Sequence, residues 1–105
     1  MSKWTPIATA ADCPAGEALE LVVGDRIVAL FNVDGQFHAL DGVCPHQGGP
    51  LGQGDLIGCI VTCLWHGWQF DVRTGQHQLS QKVVQDSLPV KVEEGQVLVD
   101  LEDSP

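Results

Sequence analysis

Two short segments that each pair a cysteine with a histidine constrain this chain more than any other feature of its sequence. They are Cys44-Pro45-His46 and Cys63-Leu64-Trp65-His66. Residues 47–62 separate them, which is enough chain for both segments to reach one metal site. Each supplies a soft thiolate and a borderline imidazole nitrogen, and this ligand set suits zinc or an asymmetric iron-sulfur centre. The sequence therefore predicts a fold that brings two loops together around a metal.

Length and composition predict one globular domain that spans residues 1–105. The chain has 105 residues, of which 44% are apolar and 18% are charged. A chain of this length buries one proper core and is too short for two.

The net charge restricts the classes of partner that the protein is expected to bind. Fourteen acidic residues against five basic ones give a formal net charge of -9, which disfavours nucleic acid and anionic membranes and favours a basic protein surface. No cleavable signal pattern is apparent, and the longest apolar run, residues 27–31, is far too short to span a bilayer. We therefore expect a soluble cytoplasmic protein whose four cysteines are metal ligands or free thiols and form no disulfides.

Short alternating segments predict an all-β sandwich or small barrel. The predicted strands cover residues 17–23, 26–33, 36–40, 56–63, 69–72, 88–92 and 96–101. Asp34-Gly35 is the strongest hairpin signal, because both residue types tolerate the positive φ of a tight turn. Further turns are expected at Gly24-Asp25, at Thr74-Gly75 and at Glu93-Glu94-Gly95, the last joining a closing hairpin.

The two metal segments, extended to Cys44-Pro45-His46-Gln47-Gly48 and Cys63-Leu64-Trp65-His66-Gly67, resemble the cluster-binding loops of the Rieske iron-sulfur family. The resemblance extends over most of the chain. It implies a Rieske-like antiparallel β-sandwich with a two-loop cluster-binding subdomain at about residues 42–72. It also implies one 2Fe-2S cluster, with Cys44 and Cys63 on one iron and His46 and His66 on the other. The rival interpretation is a tetrahedral zinc site, although zinc fingers usually group cysteine with cysteine and histidine with histidine.

Departures from the high-potential branch of that family indicate a lower reduction potential. Histidine ligation sets a range of about -150 to +300 mV. Gly49 and Trp65 replace the disulfide cysteines of that branch, and Trp68 and Phe70 replace its hydroxyl donors. Because fewer hydrogen bonds then stabilise the reduced state, we expect a potential toward the low end. Backbone N-H groups of Gly48, Gly49 and Gly67 are expected to donate to the cluster sulfurs.

The remaining cysteines and histidines are interpreted as structural. Cys59 is expected inside a strand as a core thiol, and Cys13 lies in a predicted turn before Pro14. His38 alternates with apolar neighbours on a strand, and His77 follows a turn.

The resemblance implies a monomeric one-electron carrier without catalytic residues. It would pass electrons from a flavin-containing NAD(P)H reductase to a terminal oxygenase, either an aromatic-ring dioxygenase or a diiron monooxygenase, and would dock through the loop tip that carries Trp65. The alternative is a small Rieske-like subunit of an assimilatory nitrite reductase. A zinc-clamped interaction module is the third possibility.

Overall fold

Short antiparallel strands dominate the computed structural model, which describes residues 4–24, 26–42, 51–63, 67–78, 83–85 and 87–101. The strands are β1 (Trp4–Thr9), β2 (Ala18–Val23), β3 (Arg26–Val33), β4 (Gln36–Asp41), β5 (Asp55–Ile57), β6 (Ile60–Thr62), β7 (Gln69–Asp71), β8 (Ser87–Leu88), β9 (Val90–Glu93) and β10 (Gln96–Asp100). Two single 3-10 turns, Ala10–Asp12 and Leu51–Gln53, complete the described elements. The all-β prediction is confirmed. Within the described ranges, no helix is long and apolar enough to cross a bilayer.

The largest sheet has the strand order β2-β3-β4-β8. Its β3-β4 hairpin turns at Asp34 and Gly35, with φ of 52° and 90°, and the register closes with Val33 opposite Gln36. Such a two-residue turn matches the right-handed twist of the flanking strands. The predicted hairpin is confirmed. Gly24, with φ of 65°, ends β2, whereas Asp25 lies outside the described residues.

A second sheet, in the order β1-β10-β9, contains the closing hairpin. The hairpin turns at Glu94 and Gly95, with φ of 52° and 79°, as the sequence predicts. Its first strand is shorter than predicted, because residues before Pro89 pair elsewhere: Leu88 lies opposite Ala39 of β4. Strand β1, which the alternation analysis did not predict, pairs along β10.

The third sheet, β5-β6-β7, corrects the prediction of one strand over residues 56–63. The run is a hairpin, with β5 and β6 on either side of Gly58 and Cys59. Gly58 has φ of 62°, a left-handed conformation that glycine adopts without steric cost. Ile57 and Ile60 on both sides have high β propensity. The sequence pattern therefore predicts one continuous strand, although the chain reverses at Gly58 and Cys59. Cys59 therefore lies in a turn, where it is half-buried against the core.

Two apolar clusters lie between these sheets. One joins β3 and β4 to the small β5-β6-β7 sheet and contains Ala29, Phe31, Leu40, Leu51, Val61, Cys63, Phe70 and Val72. The other packs the large sheet against β9 and β10 and contains Cys13, Val28, Leu30, Ala39, Leu88, Val97 and Val99. The first cluster is the support on which the second metal segment rests, because Cys63 belongs to it.

Asn32 fixes the loop before β2 onto the β3-β4 hairpin. Its buried side-chain amide donates to the Cys13 carbonyl at 2.8 Å, and its Oδ1 accepts from the Gly35 N-H at 2.8 Å. We expect Asn32→Ala to lower the free energy of unfolding by about 1–3 kcal/mol, because the buried Cys13 carbonyl loses its donor and the Gly35 N-H loses a partly buried acceptor. Urea unfolding would measure the loss, with exposed Gln36→Ala as the control. Equal stability of the two variants would contradict this assignment.

Candidate metal centre

Cys63 lies at the end of β6 with its thiol inside the protein. The residue is 1% exposed and packs in the cluster that includes Phe31 and Phe70. Its backbone is fixed from both sides, since its N-H donates to the Trp68 carbonyl at 2.8 Å and its carbonyl accepts the Gly67 N-H at 3.0 Å. These two bonds join Cys63, at the end of β6, to Gly67 and Trp68, which precede β7.

Gly67 has a role that differs from the predicted one. Its φ of 71° is a left-handed conformation that other residues rarely adopt. The sequence analysis assigned its N-H to a cluster sulfur, but in the structure this N-H donates to the Cys63 carbonyl. That prediction is therefore wrong for Gly67. Gly48 and Gly49 lie outside the described residues.

The other three predicted ligands, Cys44, His46 and His66, lie outside the described residues, as does Trp65. The part of the chain that the structure describes contains no group of three metal-ligating side chains, and Cys63 is the one predicted ligand within it. The chemistry of the donor set fits a Rieske cluster. A buried thiolate needs a cation beside it, because an unpaired charge is costly in an apolar site, and the buried thiol of Cys63 is therefore suited to a metal ligand.

Three aromatic rings pack together at and next to β7. Trp68 is half-buried and Phe70 fully buried, and the His77 imidazole meets both at nearly right angles. Ring centroids lie 4.6 Å apart for Trp68 and His77 and 5.2 Å apart for Phe70 and His77. Edge-to-face geometry at these distances is favourable for aromatic pairs. His77 is 6% exposed, so its side chain is buried and not solvated.

A hydrogen-bonded latch holds the segment that carries His77. The Gly75 N-H donates to the Asp71 carbonyl and the Gly75 carbonyl accepts the Gln85 N-H, both at 2.7 Å. Gln85 is buried, and its side-chain amide donates to the Asp41 carbonyl at 2.8 Å. Asp41 ends β4, three residues before Cys44 of the first metal segment. The latch therefore joins the strand that leads into the first loop to the chain that follows the second loop.

Of the two thiols outside the predicted ligand set, Cys13 is a core residue and Cys59 is half-buried in a turn, not inside a strand as predicted. Cys13 is buried, its Sγ donates to the Glu17 carbonyl at 3.3 Å, and burial raises the pKa of its thiol. Among the described cysteines, Cys13, Cys59 and Cys63 are free of disulfides.

His38 lies on β4 and lines a pocket of about 210 Å³ that it shares with Arg73. Its Nε2 is buried and has no hydrogen-bond partner in the described ranges. Burial lowers the pKa of its imidazole, and the Arg73 guanidinium lowers it further, against an opposing effect of Asp71. Asp71 and Arg73 themselves form an ion pair at 2.7 Å. The lowered pKa favours the neutral form of His38.

Comparison with known proteins shows that the sequence matches a protein family. The family model of the Rieske [2Fe-2S] domain matches residues 3–97. The chain is 42% identical over 91 residues to the ferredoxin component of an alkene monooxygenase system of Xanthobacter autotrophicus, covering 86% of this chain and 75% of the relative. It is 34% identical over 101 residues to the ferredoxin component of a naphthalene 1,2-dioxygenase system of Pseudomonas aeruginosa, covering 94% and 96%.

Solved structures agree with this result. A structure described as a complex of reduced oxygenase and oxidized ferredoxin in carbazole 1,9a-dioxygenase contains a chain that superposes with a TM-score of 0.83 at 32% identity, covering 92% of both chains. The Sphingomonas yanoikuyae B1 ferredoxin superposes with a TM-score of 0.84 at 29% identity, covering 93% of this chain and 98% of that one. The described strands thus have the arrangement of ferredoxins with this domain.

Gly75→Ala tests the latch. A methyl group at Gly75 would overlap the Gln85 carbonyl, in addition to the strain of a φ of 83°. Gly95→Ala is the matched control, because its φ is 79° and its Cβ would meet nothing within 4 Å. We expect Gly95→Ala to lose about 1–2 kcal/mol of unfolding free energy from backbone strain alone. Gly75→Ala should lose clearly more in urea unfolding, and equal losses would show that the latch has no energetic role.

His38 should make stability depend on pH. Because its pKa is lower in the folded state than in the unfolded chain, the unfolded chain binds more protons, and stability falls as pH drops below about 6.5. We expect the free energy of unfolding to fall less for His38→Gln than for the unmodified protein between pH 7.5 and 5.5. Urea unfolding at several pH values measures this. The same change in unfolding free energy with pH in both proteins would show that His38 does not contribute to the pH dependence.

Proposed function

Since the chain belongs to the Rieske 2Fe-2S family, we propose that it is the ferredoxin component of an oxygenase system, carrying single electrons to a terminal oxygenase. The observation that carries this proposal is the similarity to ferredoxin components over nearly the whole of both chains. Those relatives are electron-transfer components and not the catalytic enzymes of their systems. A protein of this kind holds one Rieske-type 2Fe-2S cluster, which supplies a reversible one-electron couple.

We assign the ligands as Cys44 and Cys63 on one iron and His46 and His66 on the other. The buried position of Cys63 supports an inner, sulfur-bound iron. The cluster-binding subdomain of about residues 42–72 would then be built on the β5-β6-β7 sheet, within a single Rieske domain over residues 1–105. Two thiolates and two imidazoles place less negative charge on the iron than four thiolates, which raises the potential into the range of about -150 to +300 mV.

The net charge and the similar proteins indicate which proteins would donate and accept the electron. A net charge of -9 favours docking onto basic surfaces and speeds encounter at low ionic strength. The electron donor in this proposal is a flavin-containing NAD(P)H reductase, and the acceptor is the terminal oxygenase. The protein would act as a monomer in the cytoplasm, where reducing conditions keep Cys13 and Cys59 as thiols.

The nitrite reductase alternative gains no support from the relatives described above, which are named as components of oxygenase systems. One of these relatives belongs to a monooxygenase system and the other to a dioxygenase system. Electron delivery to a terminal oxygenase is common to both, and it is the function proposed for this chain.

Ligand substitution tests the assignment. We expect the purified protein to contain two irons and two acid-labile sulfides per chain and to undergo a one-electron reduction toward the low end of the range given above. His66→Ala and Cys44→Ser should lose the visible chromophore and most of the iron, because each removes one of four ligands. The matched controls, Cys59→Ser and His38→Gln, should keep both.

Metal analysis, absorption and electron paramagnetic resonance of the dithionite-reduced protein measure these outcomes. A colourless protein with stoichiometric zinc would establish the zinc alternative instead. Retention of the chromophore in His66→Ala would refute the ligand assignment.

A further inference from the structure

His77 contacts Trp68, which follows the second metal segment, and does not belong to the predicted ligand set. Its imidazole is almost completely buried, and its ring plane meets the Trp68 ring at 86° and the Phe70 ring at 89°. Trp68 and Phe70 also contact each other, with centroids 6.4 Å apart. The imidazole thus occupies the angle between the two larger rings.

The backbone around His77 is fixed on both sides. Its N-H donates to the Val83 carbonyl at 3.0 Å, and the neighbouring Gln78 N-H donates to the Gln69 carbonyl at 2.9 Å. His77 itself forms a bridge with Phe70. Because the Gly75–Gln85 latch holds the same segment, the imidazole is presented to Trp68 by a rigid support.

Trp68 connects this support to Cys63. Its carbonyl accepts the Cys63 N-H at 2.8 Å, so the position of the Trp68 backbone affects the position of Cys63. A shift of Trp68 would therefore reach this predicted ligand through one hydrogen bond.

We propose that His77 is a positioning residue for the 2Fe-2S cluster, acting through Trp68 on the backbone of Cys63. By filling the space between Trp68 and Phe70, its ring would keep water out of the apolar cluster that contains Cys63. Water stabilises the reduced cluster, which is the more negative state, and so a solvated site has a higher potential. The inference rests on the proposed function, because it concerns ligands assigned there.

Substitution of His77 with measurement of the midpoint potential tests the inference. His77→Ala removes the ring and leaves a space beside Trp68, whereas His77→Phe keeps an aromatic ring of similar shape. The matched control is His38→Ala, a histidine of β4 that makes no described ring contact with Trp68. Each protein is purified with its cluster, and iron and sulfide content, reduced-state paramagnetic resonance and midpoint potential are measured.

We expect His77→Ala to retain two irons and two sulfides while its potential shifts upward and its resonance lines broaden, because Trp68 and the Cys63 backbone lose their fixed position. His77→Phe should return both quantities toward those of the unmodified protein, and His38→Ala should leave them unchanged. An unchanged potential and spectrum in His77→Ala, at full cluster content, would overturn the inference.

If His77→Ala does not retain its cluster, His77→Gln and His77→Phe decide the question. A shifted potential in the Gln variant with a normal one in the Phe variant supports a positioning ring, and equal values in both contradict it. These failures are distinct from failure of the proposed function. Absence of a 2Fe-2S cluster from the unmodified protein would refute that function, whereas normal clusters with insensitive variants refute the role of His77 alone.

Discussion

The hydrogen bond from the Cys63 N-H to the Trp68 carbonyl is the interaction on which the proposed metal centre depends. It forms where β6 ends and β7 is about to begin, so it fixes the backbone of a proposed ligand relative to both strands. Gly67 adds a second hydrogen bond, because its left-handed conformation lets its N-H reach the Cys63 carbonyl. With its backbone fixed in this way, Cys63 would bind the metal at a smaller cost in conformational entropy.

The position of Cys63 depends on how the small β5-β6-β7 sheet packs against the large sheet. The small β5-β6-β7 sheet has only short strands, and three-residue strands are not stable without a packed face. Val61 and Phe70 supply that face against Phe31 and Leu40 of the large sheet. The Gln85 amide adds a polar connection to the Asp41 carbonyl at the end of β4. Both metal segments therefore extend from one continuous support.

Much of this fold follows from the sequence, and the exceptions have physical reasons. The turns at Asp34-Gly35 and Glu94-Gly95 are local, so residue type alone identifies them. The reversal at Gly58 was missed because the isoleucines beside it have strong β propensity, and the partners of Gln85 are distant in sequence. For His77 a signal existed: a turn at Gly75 reverses the chain after β7 and returns residue 77 to a position beside Phe70.

In the proposed ligand assignment, the burial of Cys63 also indicates where an electron would enter and leave. Its thiol lies in the apolar cluster with Phe31 and Phe70, so the sulfur-bound side of the proposed cluster would face the protein interior. The histidine-bound iron would then be the one nearer to a partner protein that approaches from outside. The rings of Trp68, Phe70 and His77 pack together next to Cys63 and leave little room for water there. An interior that excludes water lowers the reorganisation required when the charge of the cluster changes, and this property suits a protein whose function is to accept and release one electron.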